Sequence, residues 1–148
     1  MSAMNLTPAV SRPVRTAIAG GVWMAVGIML LTWAAGWLAQ APPAWAIALG
    51  LAGIGIGLFA WRALFARLVS DNIARLAARP AKACAFGFIA PKGWAITASM
   101  ILLGAALRHS ALPKPWLAAP YAAIGTALLL ASLGYCPYLA HLPKGPTV

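Results

Sequence analysis

From Thr16 to Trp61 the chain carries no charged side chain, and only a Pro42-Pro43 pair interrupts the run. A stretch that long with nothing to face water is stable where the solvent is hydrocarbon. About 20 apolar residues cross the ~30 Å core of a bilayer as a helix. The two halves, residues 16–38 and 44–64, therefore predict two membrane helices joined by a proline turn. A cleaved signal peptide is the competing reading of the first half, with Ala39-Gln40-Ala41 as the cleavage-like site. Its apolar core is too long for a signal, and proline would follow the cut.

The second half of the chain repeats this organisation. Residues 93–107 are uncharged, and residues 116–135 form a further apolar run. The first of these is short for a span, so its helix is expected to start earlier, within residues 86–90, with Pro91 tolerated in a first turn. The expected fold is an all-α membrane protein with four transmembrane helices as two hairpins. The segments are a cytoplasmic lead (1–15), a first hairpin (16–64), a basic, partly helical connector (65–92), a second hairpin (93–136) and a cytoplasmic tail (137–148). Composition agrees: 63% of residues are hydrophobic and 8% charged, against about a quarter charged in soluble domains.

Charge placement gives orientation. Arg62, Arg67, Arg75, Arg79, Lys82 and Lys92 crowd into the connector, and Arg12, Arg15 and Lys144 fall on the same side of a four-span chain. Only Arg108 and Lys114 fall on the other. Basic loops stay in the cytoplasm, next to anionic lipid, so both termini are expected inside a bacterial inner membrane. The net charge of +10 brackets apolar spans instead of lining a soluble face, which excludes a nucleic-acid partner. Trp23, Trp37, Trp45, Trp61, Trp94 and Trp116 fall near span ends, as an interfacial belt would; Trp33 does not fit that pattern.

An internal repeat is visible at a fixed offset of 71. It pairs Trp23 with Trp94, Met29 with Met100, Pro42 with Pro113 and Trp45 with Trp116, all without a gap. The reading is a duplicated hairpin repeated in one orientation, as in parallel-repeat membrane proteins; chance similarity between hairpins of like composition is the alternative. Ala46, Gly50, Gly53, Gly57 and Ala60 share one face of the second helix and mark close helix packing, within the monomer or in a homodimer. In the connector, Arg67, Asp71, Arg75 and Arg79 share a helical face opposite Leu64, Leu68, Val69, Ile73 and Leu76. That face suits anionic headgroups, with Asp71 able to pair with either flanking arginine. Arg108, His109 and Lys114 form a second candidate contact for a headgroup or anion on the outer side, the alternative being plain interfacial anchoring.

The chemistry missing from the sequence is as informative. Asp71 is the one acid in the chain, which excludes paired carboxylates, a Ser-His-Asp triad and carboxylate-rich metal sites. His109 and His141 are too few for bis-histidine haem binding across helices, and Cys84, Cys136 and His141 match no metal spacing. No ionisable group lies deep in a span, where ion-coupled carriers need one. No cofactor, metal or catalytic residue is expected, and an enzyme acting on lipid finds no cluster to support it.

Gly21-Val22-Trp23, Asn72-Ile73-Ala74-Arg75-Leu76, Pro80-Ala81-Lys82-Ala83-Cys84 and above all the run MILLGAALRHS at 100–110, followed by Leu112-Pro113-Lys114, resemble an uncharacterised family of small four-helix bacterial membrane proteins. The resemblance implies four spans and nothing catalytic. Gly87 and Pro91 depart from it at the start of the third helix. The expected role is a small integral membrane protein acting as an accessory, structural or assembly subunit, with lipid and a homodimeric or other membrane-protein partner. A small dimeric permease or channel is the alternative.

Overall fold

A computed structural model describes residues 9–78, 82–84 and 91–142. Nearly all of them are helical. Helix α1 spans Arg12–Leu38, α2 Pro43–Ala60, α3 Ala66–Ala78, α4 Pro91–His109, α5 Lys114–Leu133 and α6 Tyr135–His141. A π-helical turn, Trp61–Phe65, joins α2 to α3 without a break. Besides the turns at 39–42 and 110–113, the described residues include a short antiparallel ribbon of β1, Ala9–Ser11, and β2, Lys82–Cys84, with Val10 opposite Ala83.

Three helical stretches are long and apolar enough to cross a membrane: Arg12–Leu38, Pro43–Ala78 and Lys114–His141. The expected third span, α4, is not among them. Its 19 residues would reach ~28 Å at 1.5 Å per residue, but Lys92, Thr97, Ser99 and Arg108 dilute its apolar character. It begins at Pro91, which sits in the first turn where a missing N–H costs nothing; the earlier start considered for it, in residues 86–90, lies outside the described residues. Helix α1 starts at Arg12, ahead of the expected Thr16, so Arg12 and Arg15 belong to its first turn. The expected basic connector begins as a direct extension of α2.

Helix α5 is the centre of the molecule, with α1 and α2 packed along it. Gly27 of α1 and Gly125 of α5 face one another: a Cβ on Gly27 would stand 3.0 Å from the Gly125 carbonyl oxygen, and a Cβ on Gly125 3.0 Å from that of Gly27. Further along, Gly20 meets Tyr135, while Trp37 meets Tyr121 edge-on at 4.9 Å. Residue numbers fall on α1 as they rise on α5, so these helices are antiparallel. Gly53 lies against Ala119 and Ala122, and Gly57 against Ala123 and Thr126; here the numbers rise together, and α2 runs parallel to α5. Small residues at both crossings let the backbones touch, which is how helices gain dispersion energy where lipid supplies no hydrophobic drive.

One end of the bundle therefore holds the start of α1, the ribbon, α3 and α6. The other holds the two proline turns, where Pro42 and Pro113 occupy matching N-cap positions ahead of α2 and α5. Two clusters fix the ends: Ala19, Val69, Leu76, Ala131 and Tyr135 at the first, and Ala34, Leu117, Ala118, Tyr121 and Ala122 at the second.

Candidate functional site

The expected anion contacts separate onto opposite ends of α5, whose 20 residues give a rise of ~30 Å. Arg108, His109 and Lys114 gather at the proline-turn end. Arg67 and Arg75 lie on α3 at the other, and Arg79 lies outside the described residues.

At the proline-turn end, α4 terminates on Arg108 and His109, and a tight turn leads into α5. Ser110 Oγ caps that turn by donating to the Leu107 carbonyl at 2.6 Å. Lys114 Nζ reaches back and donates to the Arg108 carbonyl, a cation on one of the open carbonyls of a helix C-terminus. The Arg108 guanidinium lies over the Trp33 ring of α1, 4.3 Å from its centroid. Its Nε is buried and has no hydrogen-bond partner. Tyr121 braces the same corner: its hydroxyl donates to the Gly104 carbonyl at 2.8 Å, and its ring contacts both Trp33 and Trp37. His109 is exposed. Trp45 and Trp116 stand beside this end, 6.0 Å apart.

At the other end, the Asn72 amide donates to the Tyr135 hydroxyl at 2.9 Å, and Arg75 Nη2 donates to Asn72 Oδ1 at 2.9 Å. Tyr135 is fully buried, and so are Arg15 and Thr16 of α1. Trp23 packs edge-on against Phe65 and Tyr135. This is a relay of three satisfied polar groups that pins α3 to the start of α6. It contains no nucleophile and no carboxylate. Asp71 is exposed and makes no ion pair among the described residues; a solvated pair with Arg67 or Arg75 would have contributed little.

The expected packing stripe on α2 divides between two neighbours and a groove. Gly50 faces Leu38 of α1, and Gly53 and Gly57 face α5. Ala60 opens into an apolar groove of about 350 Å³ lined also by Ile56, Phe65, Pro120, Ala123 and Ile124. Ala46 is half-buried. Among the described residues no group of three His, Cys, Asp or Glu side chains is placed to hold a metal, and Cys136 is exposed.

Sequence reading missed Trp33, Asn72 and Tyr135. Each had a signal. Trp33 lies one turn inside the belt position that Trp37 fills, so another role was open to it. Asn72 sits among Val69, Ile73 and Leu76 on the apolar side of α3, and a lone amide there needs a partner.

No protein-family model, curated protein or solved structure matches this chain.

Proposed function

We propose that this is a non-enzymatic, multi-pass protein of the bacterial cytoplasmic membrane that serves a larger membrane system as an accessory or assembly subunit. The observation that carries the reading is the imbalance between α5 and α2. In its apolar window the stretch containing α5 is 50% buried, the stretch containing α2 only 11%. One line of α2 is committed to α5, while Ile47, Leu51, Ile54, Leu58 and Phe59 stand open. Such a helix suits contact with another protein as well as with lipid. The small-residue contacts in the middle of the bundle and the scarcity of chemistry-bearing groups support a structural role over a catalytic one.

In this reading α4 is a fourth crossing, its charged ends at the two interfaces, and both termini face the cytoplasm. The positive-inside distribution supports that orientation, as does the meeting of the amino-terminal ribbon, α3 and α6 at one end. The test is purification in mild detergent after photo-cross-linking from Leu51 or Phe59. A defined membrane-protein adduct is expected from those positions and not from Gly57; recovery of monomer alone from every position contradicts the reading.

A small dimeric permease or channel built from duplicated hairpins is the second reading. It is favoured by the matching Pro42 and Pro113 caps and by the contact between Trp45 and Trp116, which the 71-residue offset pairs. Weighing against it, the groove between α2 and α5 is lined by apolar side chains. Solute or ion flux in proteoliposomes above that of empty vesicles would favour this reading.

A further inference from the structure

The corner formed by Trp33, Arg108 and Lys114 has a property that packing alone does not account for. Its two cations lie at the opposite end of the bundle from Asp71, the one acid of the chain. Among the described residues their charge has no counter-ion. The Arg108 side chain is nevertheless held in place. Its guanidinium carbon lies over the Trp33 ring, 4.3 Å from the centroid, and its main-chain carbonyl accepts from Lys114 Nζ. A guanidinium over a ring still carries a planar fork of N–H donors that must find an acceptor. One donor of that fork, Nε, is already out of water with nothing to bond to, which is unfavourable until an acceptor reaches the fork.

We propose that this corner is a phosphate-binding clamp. Arg108 presents its edge to phosphate oxygens, Trp33 holds it in orientation, and Lys114 adds a second positive charge across the α4–α5 turn. A planar fork held by an aromatic face matches the geometry of a phosphate, whereas a lone ammonium offers only a point charge. The surroundings favour the phosphodiester of a phospholipid as the source over free phosphate: Trp45 and Trp116 stand exposed at the same end, where tryptophans mark the headgroup level of a bilayer. The clamp is independent of the accessory role proposed above, and either can fail without the other.

The test uses the full chain, delipidated in detergent and titrated with phosphatidylglycerol, phosphatidylcholine or inorganic phosphate, with bound molecules counted by native mass spectrometry. One phosphatidylglycerol is expected to remain bound where phosphatidylcholine washes off, because the quaternary ammonium of the latter neutralises its phosphodiester and is repelled by Arg108 and Lys114. Arg108→Gln should weaken its retention roughly tenfold, the scale of one charge-assisted hydrogen bond. Arg108→Lys keeps the charge and loses the fork, so it should fall nearly as far. Binding of inorganic phosphate with the same dependence on Arg108 also supports the clamp and assigns free phosphate as its ligand. Far-ultraviolet circular dichroism of each variant confirms that it is folded, and Lys114→Gln supplies a second variant should Arg108→Gln unfold. The clamp is overturned if folded Arg108→Lys and Arg108→Gln both retain phosphatidylglycerol as the wild type does, or if the lipid is held no better than phosphatidylcholine.

Discussion

At the scale of single residues, the bundle depends on positions where no side chain fits. A Cβ on Gly57 would lie 2.6 Å from the Ala123 carbonyl oxygen and 2.8 Å from the Thr126 Cβ, and neither backbone nor a branched side chain yields easily. Gly57→Ala is therefore expected to destabilise the detergent-solubilised protein by about 1–3 kcal/mol, as overpacking does. Gly55→Ala, two residues away with nothing within 4 Å, should cost nothing and may be used as the control; thermal unfolding in detergent separates the two. The polar relay gives a second expectation. Tyr135→Phe removes the acceptor for Asn72 and leaves the amide half-buried, so a loss of about 1–3 kcal/mol is expected, read by the same unfolding assay. These positions differ in legibility. Gly53 and Gly57 announce themselves as GxxxG on one helical face. Gly27 and Gly125 do not, because a lone glycine in an apolar run says nothing about its partner until the crossing of α1 and α5 is known.

At the scale of elements, the helical segments could be read from apolar runs and prolines, because hydrocarbon and proline each act on short stretches of chain. The π-helical turn could not. Trp61–Phe65 reads as ordinary helix, and only the need to bring Val69 and Leu76 onto Tyr135 distinguishes it. A π turn takes up one extra residue, so α3 faces as it would in an unbroken helix one residue shorter. Deleting Ala63 should therefore restore continuous α-helix and leave Val69 on the same face, instead of turning α3 by the ~100° of one residue. This can be measured with a disulfide. Val69 Cβ lies 4.0 Å from a Cβ built on Gly134, within the range a disulfide requires. In a chain lacking Cys84 and Cys136, the pair Val69→Cys and Gly134→Cys should cross-link on mild oxidation, and the cross-link should survive deletion of Ala63; its loss would contradict this account of the turn. The start of α1 is also an element-scale lesson. Arg12 and Arg15 look like a polar lead because they are charged, yet Pro13 at a first turn and burial of Arg15 place both inside the helix.

At the scale of the whole molecule, membrane character was the most legible property and the arrangement of helices the least. The absence of charge from Thr16 to Trp61 makes a membrane fold the natural outcome; two of the three helices of suitable length draw on that run, and the third is Lys114–His141. The central position of α5, and the separation of the basic groups to opposite ends of it, depend on contacts between distant parts of the chain that no local pattern encodes. Orientation across the bilayer is the proposal on which the cytoplasmic basic face and the cytoplasmic termini both stand. It is tested most directly by single cysteines at Asp71 and at Ala111, in a chain without Cys84 and Cys136, probed in intact bacterial cells with a membrane-impermeant maleimide. The account predicts labelling at position 111 in intact cells and at position 71 only after the membrane is opened. Labelling of position 71 in intact cells, with position 111 protected, would contradict it.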